Sequence, residues 1–418
     1  MKPHANLWTK TFLGMEELAA DPSDLYFGLI LRGQGPAPGL EDLRRHVEKR
    51  LPLIPALTHV PETRGGRVTW RPDDTFDIAD HVRTGQRPEP DIAPQPALIG
   101  SASPRPLWGL WLLAGPGDGQ WEVCWLGHHA FGDAKAVAEI LRVLFGDEEP
   151  AATAEPPGGP RHRPLRATVA VGRVLPGLLA TYRPSEQWPP MMDPPGAVRG
   201  WAHTQVPFTT LRGVANASEA TVNQVHLAAM TAALRGLEIE NGRRPRGRLQ
   251  ICLPLDLRVP AQDDHVVANH LGLMRVPLPW DLPSPADQLA AVVRATRTRT
   301  IERWKRAWRE ILTNTPEPIG QWAHQRIGHP RNTKLTVSAV NISGSLSVSD
   351  SPITEIVPLP WLPPGHACFT LLATYQGITT QSVLTHGGTF APGRLAALWA
   401  RALDDLAASF QSGRSPTS

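Results

Sequence analysis

The sequence has little cysteine, with three residues in 418. Cys124, Cys252 and Cys368 lie far apart inside apolar stretches, form no Cys-x-x-Cys pair and leave an odd total. This distribution argues against a disulfide framework, which needs paired cysteines in an oxidising compartment. We expect three buried thiols in a reducing compartment.

Long apolar runs and a strong charge of one sign are also missing. No apolar run comes near the roughly 20 residues that cross a bilayer, and Met1–Gly14 lacks the positive-then-apolar order of a signal peptide. The formal net charge of +3 is too small to indicate binding to a phosphate backbone, and no Lys/Arg run is interleaved with stacking aromatic residues. We therefore expect a cytoplasmic protein that does not bind nucleic acid.

The residues that are present are typical of a folded protein, with 41% apolar and 19% charged side chains. The length suggests two domains, which makes a cleft between them plausible. The 44 prolines favour edge strands, irregular connections and extended linkers over long helical repeats.

Hydrophobic periodicity predicts two mixed halves joined by a linker. Residues 1–165 form the first half, residues 166–200 a crossing helix (begun at Leu165, ending at Tyr182) with Pro-rich segments, and residues 201–418 the second half. Both halves combine strands and helices in an α+β pattern of mixed sheets. The principal predicted elements are strands at Tyr26–Leu31, Trp108–Leu113, Trp121–Leu126, Gln205–Phe208, Leu249–Leu253, Leu271–Leu278, Lys334–Asn341, Ile353–Val357, Phe369–Tyr375 and Thr379–Leu384, and helices at Leu40–Leu51, Ala134–Phe145, Ser218–Leu237, from Ser284, and at Pro392–Phe410.

The segment His128–Asp133, with the sequence His-His-Ala-Phe-Gly-Asp, lies between a predicted strand and a predicted helix. One imidazole facing a cleft could be a general base, which acyl transfer to an alcohol or amine needs because the acceptor must lose a proton. Alternatively, the histidines satisfy backbone groups at a strand end and Asp133 caps the helix. A metal site is disfavoured, because adjacent strand histidines point to opposite faces and no third ligand lies at a familiar spacing. The pattern alone leaves base and cap open.

The same segment resembles the His-His-x-x-x-Asp-Gly motif of the chloramphenicol acetyltransferase-like superfamily. That superfamily includes nonribosomal peptide condensation domains and the bacterial wax ester synthase/diacylglycerol acyltransferase family. Pro106–Trp108 resembles the Pro-Leu-Trp that precedes the motif in the wax ester synthase family. Trp70, Phe76–Ile78 and His81–Val82 resemble its Trp…Phe-Asp-Leu…His-Val pattern.

Matches continue in the second half. Thr221–Asn223 resembles the family's Thr-Val-Asn-Asp helix, and Leu253–Leu255 with Arg258 resembles its Val-Pro-Val…Arg strand. Asn269–Gly272 is similar to its Gly-Asn stretch, and Asn341–Gly344 to its Asn-Val-Pro-Gly turn. The order is kept throughout, so the resemblance covers nearly the whole chain.

The resemblance implies two chloramphenicol acetyltransferase-like subdomains with a tunnel between them. The tunnel would take a pantetheine-linked acyl donor, as acyl-CoA or a carrier-protein thioester, from one side and a hydroxyl or amine acceptor from the other. No bound cofactor and no acyl-enzyme are implied. His129 would be the general base and His128 would be structural.

The resemblance also suggests donors for the tetrahedral oxyanion and residues of the tunnel wall. The backbone amide of Gly132 and the side chains of Asn341 or Ser343 are candidate donors. Asn223 and Trp108 are further tunnel-lining candidates. A plain polar turn is the alternative interpretation of the segment from Asn341.

Several residues depart from the family pattern. Ala134 replaces the motif glycine, Gln224 replaces an aspartate, and Pro55–His59 occupies the stretch where the family usually has an arginine. Arg258 is therefore our candidate partner for Asp133. These departures leave two other functions open: a condensation-like enzyme of a natural-product pathway, and a catalytically silent homologue that binds an acyl carrier or acyl chain.

A tryptophan-containing basic helix is predicted near residues 301–311. Ile301, Trp304, Trp308 and Ile311 share one face, opposite a basic one. The helix could lie on an anionic membrane, or its basic face could receive an acidic carrier protein or the phosphates of CoA. We favour burial of the tryptophans in the core, with peripheral membrane contact as the less favoured alternative.

Overall fold

The computed structural model describes residues 6–16, 19, 21–65, 67–87, 89, 91–99, 107–115, 117, 119–147, 168–169, 172, 188, 199–259, 267–314, 322, 333, 335–348, 351–386 and 390–412. Its α-helices are α1 (Leu7–Met15), α2 (Leu40–Arg50), α3 (Ile78–His81), α4 (Gln95–Ile99), α5 (Ala134–Phe145), α6 (Phe208–Ala217), α7 (Val222–Glu240), α8 (Pro285–Ala295), α9 (Thr298–Asn314) and α10 (Pro392–Ser412). Its strands are β1 (Tyr26–Gln34), β2 (His59–Arg64), β3 (Arg67–Pro72), β4 (Val82–Thr84), β5 (Trp108–Ala114), β6 (Gln120–His128), β7 (Arg199–Pro207), β8 (Leu249–Asp256), β9 (Leu271–Leu278), β10 (Leu335–Asn341), β11 (Ser347–Val348), β12 (Ser351–Leu359), β13 (Cys368–Tyr375) and β14 (Ile378–His386).

The strands form two six-stranded mixed sheets and a small hairpin of β2 and β3. The first sheet has the order β11-β12-β1-β6-β5-β4, and the second has the order β7-β14-β13-β10-β8-β9. Parallel pairs occur in both sheets, between β4 and β5 and between β10 and β13. The α+β fold of two mixed sheets is thus as predicted.

Each six-stranded sheet with its helices forms one lobe of the protein. The boundary between the two lobes does not fall cleanly at residue 201 of the chain. Strand β12 comes from the last third of the chain, yet it pairs antiparallel with β1 in the first sheet, with Ile30 opposite Val357. Strand β11 extends the same sheet beyond β12. The segment 201–418 therefore contributes two strands to the first lobe, which corrects the simple division, because strand pairing follows edge complementarity and not chain order.

Helix α5 has the predicted bounds, and local chemistry explains them. The Asp133 carboxylate accepts a hydrogen bond from the Ala136 amide at 3.0 Å and caps the helix. Val137, Ile140, Leu141 and Leu144 are buried, as expected from their spacing of three and four residues. The helix thus packs its apolar face into the core while its first turn meets the second lobe.

Other elements begin or end at residues that differ from the prediction, in part because side chains cap the helices. The predicted helix Ser218–Leu237 is split, because Ser218 ends α6 and Thr221 begins α7. Thr221 and Gln224 form a reciprocal capping box at that start. The predicted strand near Gln205 extends back to Arg199 as β7. The predicted helix 165–182 lies outside the described residues, apart from isolated positions.

Helix α9 buries its apolar face, as favoured from the sequence. Trp308 and Ile311 are each 1% exposed, and the Trp308 indole donates to the Leu273 carbonyl at 2.8 Å. A Cβ at Gly272 would lie 2.6 Å from the Trp308 ring, so glycine is needed there for close packing. These contacts use the aromatic face that membrane insertion would need.

In the part of the chain that the structure describes, no helix is both long enough and apolar enough to span a bilayer.

We predict that the first lobe needs β12 to fold. A fragment ending at residue 198 would keep β1, β4, β5 and β6 but leave the β1 edge unpaired. Such an edge promotes association with other chains, so the fragment should aggregate in size-exclusion chromatography and lack a cooperative unfolding transition by circular dichroism. Co-expression with a fragment of residues 199–418 should restore a soluble complex. A monomeric, cooperatively folded fragment would contradict this dependence.

Candidate active site

The two histidines lie at the end of strand β6, where it runs beside β1: His128 is the last residue of the strand and His129 follows it. Tyr26 pairs with His128 in the sheet register, and the His129 amide donates to the Leu25 carbonyl at 2.8 Å. Because neighbouring residues of an extended chain point to opposite sides, the two imidazoles face different environments.

His128 lies on the inner, structural side. Its Nδ1 accepts a hydrogen bond from the Ala130 amide at 3.1 Å, so the proton of the neutral ring is on Nε2. That Nε2 lies 3.2 Å from the Glu16 carboxylate, and the ring packs edge-on against Tyr26. Burial, with the nearby His129, lowers the pKa of His128 to about 3. His128 therefore holds the turn beneath the site.

His129 is enclosed by three aromatic rings. Phe12 stacks on its imidazole at a centroid distance of 4.1 Å, and Phe27 approaches at 4.6 Å. Trp361 meets the ring edge-on at 4.8 Å. These contacts come from α1, from β1 and from the segment after β12, and they fix the plane of the imidazole.

The Asn269 amide fixes the tautomer of His129. Its nitrogen donates to the His129 carbonyl at 2.7 Å, so its oxygen must be the atom 3.1 Å from His129 Nδ1. A carbonyl oxygen only accepts, so Nδ1 carries the proton and Nε2 has the free lone pair. Burial lowers the pKa of His129 to about 4, so the ring is neutral at pH 7.

Asp133 does not bind either histidine but joins the two lobes. Its carboxylate accepts from the amides of Ala136 and His270, at 3.0 and 2.8 Å. Arg258 donates to both of its oxygens, with each nitrogen 2.9 Å away. Burial would raise the pKa of Asp133, but Arg258 and the two amides outweigh it and hold the pKa below its usual value.

Arg258 completes this junction from the second lobe. It is 4% exposed and also donates to the Ala268 carbonyl at 2.9 Å and to Asp256 at 3.2 Å. The structure thus places Arg258 against Asp133, the pairing suggested from the sequence in place of the missing arginine.

The two substituted family positions have local structural explanations. Ala134 is the first residue of α5 and is not among the described non-glycine residues with positive φ, so glycine is not required there. Gln224 caps α7 and donates to the Thr296 carbonyl at 3.1 Å, which ties α7 to the end of α8. Neither substitution disturbs the histidine environment.

An apolar cavity of about 530 Å³ opens beside His129 between the lobes. Its floor is one face of the second sheet, where Pro254, Thr336, Ser338 and Leu371 lie on adjacent strands. Its volume is within the range of small-molecule sites. The lining comprises Phe12, Met15, Phe27, His129, Asp133, Ala134, Lys135, Cys252, Pro254, Leu255, Asp256, Arg258, Leu271, Leu273, Thr336, Ser338, Ala339, Val340, Asn341, Ser343, Pro360, Trp361, Pro363, His366, Phe369 and Leu371.

Two of the candidate wall residues line this cavity and three do not. Asn341 and Ser343 are on its wall, at the end of β10. Gly132 lies outside the lining, and a Cβ there would come within 2.8 Å of Ala136, so close packing explains the glycine. Asn223 is exposed on the first turn of α7. Trp108 points elsewhere, because its indole donates to the Leu57 carbonyl at 2.7 Å.

Several site residues were not identified from the sequence. Phe12, Phe27 and Trp361 are apolar residues without a motif, and Glu16 follows a short helix. Asn269 belonged to a matched stretch, but nothing in the sequence linked it to His129.

Metal binding has no structural candidate in the described ranges, where no three His, Cys, Asp or Glu side chains are grouped to hold an ion. Most of the side chains that line the cavity are apolar, as is usual for sites that bind small organic molecules.

Comparison with known families identifies the chain. The wax ester synthase/diacylglycerol acyltransferase catalytic domain matches residues 25–188, and the C-terminal domain of the same family matches residues 267–407. The chain belongs to the wax ester synthase/diacylglycerol acyltransferase family. It is therefore an acyltransferase.

Individual members and solved structures agree with this family. A protein of Mycobacterium tuberculosis named probable diacylglycerol O-acyltransferase is 24% identical over 369 residues, covering 80% of this chain and 79% of that protein. The wax ester synthase/diacylglycerol acyltransferase of Marinobacter aquaeolei VT8 superposes with a TM-score of 0.66 at 19% identity, covering 98% of this chain and 100% of the other. The first condensation domain of the calcium-dependent antibiotic synthetase gives 0.69 at 14% identity, covering 97% and 96%. These structures share the two-lobed acyltransferase fold.

We predict that the Asp133–Arg258 pair stabilises the junction of the lobes. Arg258→Met leaves a buried carboxylate without its cation and should cost about 3–5 kcal/mol of unfolding free energy. Chemical denaturation at pH 7 measures this loss.

An exposed ion pair provides the control. Arg394 and Glu240 are 50% and 39% exposed, so solvent screens their attraction and Arg394→Met should destabilise the fold far less than Arg258→Met. The double variant Asp133→Asn/Arg258→Met should lose less than the sum of its single variants. Equal small losses for Arg258→Met and Arg394→Met would contradict the assigned role.

Proposed function

We propose that this chain transfers an acyl group from a CoA or carrier-protein thioester to a hydroxyl or amine, with His129 as the general base. The observation that carries this proposal is the neutral His129 imidazole, whose Asn269 contact leaves Nε2 unprotonated beside an apolar cavity. An unprotonated nitrogen at the wall of a substrate-sized cavity is the arrangement that general-base catalysis needs.

The reaction would proceed by direct transfer. His129 Nε2 accepts the proton of the acceptor as its oxygen or nitrogen attacks the thioester carbonyl. The tetrahedral intermediate then collapses, the carbon–sulfur bond breaks, and the protonated imidazole returns the proton to the leaving thiolate. Asn269 keeps its hydrogen bond to Nδ1 throughout, so the ring does not change orientation.

The oxyanion of that intermediate needs hydrogen-bond donors. Among the candidates named from the sequence, the side chains of Asn341 and Ser343 lie on the cavity wall and stay in this proposal. Gly132 is set aside as a donor because it lies outside the lining.

The cavity lining supports an acyl donor with a hydrocarbon chain. Leu271 and Leu273 on β9, with Phe369 and Leu371 on β13, supply apolar surface on either side of Thr336 and Ser338 of β10. Members named diacylglycerol O-acyltransferases suggest a hydroxyl acceptor as the first test. We retain the amine as the second acceptor class.

We predict that His129→Ala lowers turnover by about 10²–10⁴-fold, the usual contribution of a general base. The measurement is free-thiol release from octanoyl-CoA, with 1-hexadecanol, dioctanoylglycerol and an alkylamine as separate acceptors, and product identity by mass spectrometry. The KM of His129→Ala for octanoyl-CoA should stay close to that of the native chain.

The matched control is a half-buried histidine outside the cavity, His46. His46 bonds the Leu144 carbonyl on α5, and His46→Gln keeps a donor there, so its turnover should equal that of the native chain. Unchanged thiol release and product in His129→Ala would overturn the catalytic role. The absence of turnover by the native chain with every donor and acceptor would overturn the proposed activity itself.

We also predict an unusually acidic limit of activity. A base works only when deprotonated, and the pKa of His129 is lowered to about 4, so kcat/KM should fall as pH drops through about 4 and not through 6.5. The measurement is kcat/KM after brief jumps to each pH. Tryptophan fluorescence checks that the protein stays folded during the assay.

A substitution of Asn269, the hydrogen-bond partner of His129 Nδ1, tests whether His129 sets the pH at which activity is lost. Asn269→Asp places a carboxylate 3.1 Å from His129 Nδ1, which favours the imidazolium, so the acid limb should move to higher pH. The same change at exposed Asn241 should leave the limb in place. A limb that is identical in both variants would show that His129 does not set it.

A further inference from the structure

Helix α9 presents a strongly basic face to solvent. Over Thr298–Asn314 it carries five basic and two acidic residues, so its net charge of +3 equals that of the entire chain. Since its apolar face is buried through Trp308 and Ile311, the charge is concentrated on the outer side. The proposed reaction gives this surface no role within the cavity.

The exposed arginines are regularly spaced. Arg299, Arg303 and Arg306 lie on consecutive turns, at positions three and four residues apart, and span about 10 Å of helix rise. Arg294 at the end of α8 and Arg297 before α9 are also exposed and extend the row. We call these five residues the arginine face.

The opposing charges on α9 are few. Glu302 is 51% exposed and lies 3.5 Å from Lys305, so part of its charge is matched within the helix. Among the residues that the structure describes, no acidic side chain forms an ion pair with a member of the arginine face.

Helix α9 also contacts the backbone beside the cavity lining. Arg309, one helical turn beyond Arg306, donates to the Leu257 carbonyl at 2.7 Å and to the Arg258 carbonyl at 3.4 Å. Arg258 and Asp256 line the cavity, as does Lys135, which is 47% exposed and 3.3 Å from Asp256. A partner bound along α9 would thus have one end near these cavity-lining residues.

The shape of the arginine face selects its partner. It offers one guanidinium per turn along a convex helix, whereas phosphates of a small molecule are held by donors that converge in a pocket. Guanidinium groups also form paired hydrogen bonds with carboxylates. An acidic helix with carboxylates three and four residues apart matches the row, and membrane insertion lacks an exposed apolar face on α9.

We propose that the arginine face docks an acidic helix of an acyl carrier protein, whose thioester arm then enters the cavity beside Arg258. This proposal rests on the proposed function, because it names the donor as a carrier-protein thioester. It places recognition outside the cavity, so binding can be measured without turnover.

The test is calorimetric binding of a holo acyl carrier protein with an acidic recognition helix to the full chain. The triple variant Arg299→Glu/Arg303→Glu/Arg306→Glu should raise Kd at least tenfold, and binding by the native chain should weaken as salt rises. The matched triple Arg212→Glu/Arg244→Glu/Arg401→Glu makes the same charge change at exposed positions of α6, of the turn after α7 and of α10. That control should leave Kd within about twofold.

A second measurement separates docking from damage to the cavity. It compares kcat/KM for the octanoyl carrier protein with that for octanoyl-N-acetylcysteamine, which lacks the protein and the nucleotide. The ratio should fall at least tenfold in the arginine triple and stay constant in the control. An unchanged ratio overturns the proposal, whichever individual rate changes.

Alternative partners give contrary results. One such result is that the arginine triple loses binding to CoA, or to vesicles of phosphatidylglycerol and phosphatidylcholine, while the native chain binds no carrier protein. That result assigns the arginine face to another ligand and overturns the proposal. Carrier binding that depends on the arginine face but is not followed by turnover supports docking while contradicting the proposed activity. The two failures are therefore distinguishable.

Discussion

The buried ion pair between Asp133 and Arg258 is the interaction on which the site depends. It connects the turn after β6, which carries the histidines, to the loop between β8 and β9, which carries Asn269. Two charges removed from water are costly to bury, and here the cost is offset because Asp133 accepts two amides and Arg258 donates to a carbonyl as well. The cavity exists only where these two lobes meet, so its geometry follows from this junction.

The apolar surroundings of His129 determine the protonation state of its imidazole. Aromatic rings from three separate segments exclude water, and that burial lowers the pKa to about 4. A shift of that size makes the imidazolium about 3 kcal/mol less favourable than in water. In the proposed reaction the protonated ring is therefore a short-lived species, which forms as the acceptor attacks and returns its proton to the thiolate. Asn269 contributes orientation without adding charge, which keeps the ring neutral before reaction.

Helix α9 shows how one amphipathic pattern can serve two purposes. Its tryptophan face fills the space over β9, where glycine at position 272 lets the Trp308 ring approach the sheet. The charged face is consequently held in a fixed orientation toward solvent, and Arg309 anchors the helix to the backbone of Leu257. Burial of one face thus positions the other close to the cavity-lining residue Arg258.

The sequence by itself determined the local features of this protein. Helical spacing and an N-terminal aspartate defined α5, two apolar runs separated by a turn indicated the strands before the histidines, and the ordered motifs indicated the family and its two-lobed fold. Tertiary structure decided the rest, because those contacts join residues remote in the chain. Asn269 lies 140 residues from His129, β12 crosses to the first sheet, and Trp108 and Asn223 point away from the cavity their motifs suggested. Local sequence patterns predict the hydrogen bonds within helices and turns. The contacts between the two lobes depend on packing across the whole fold.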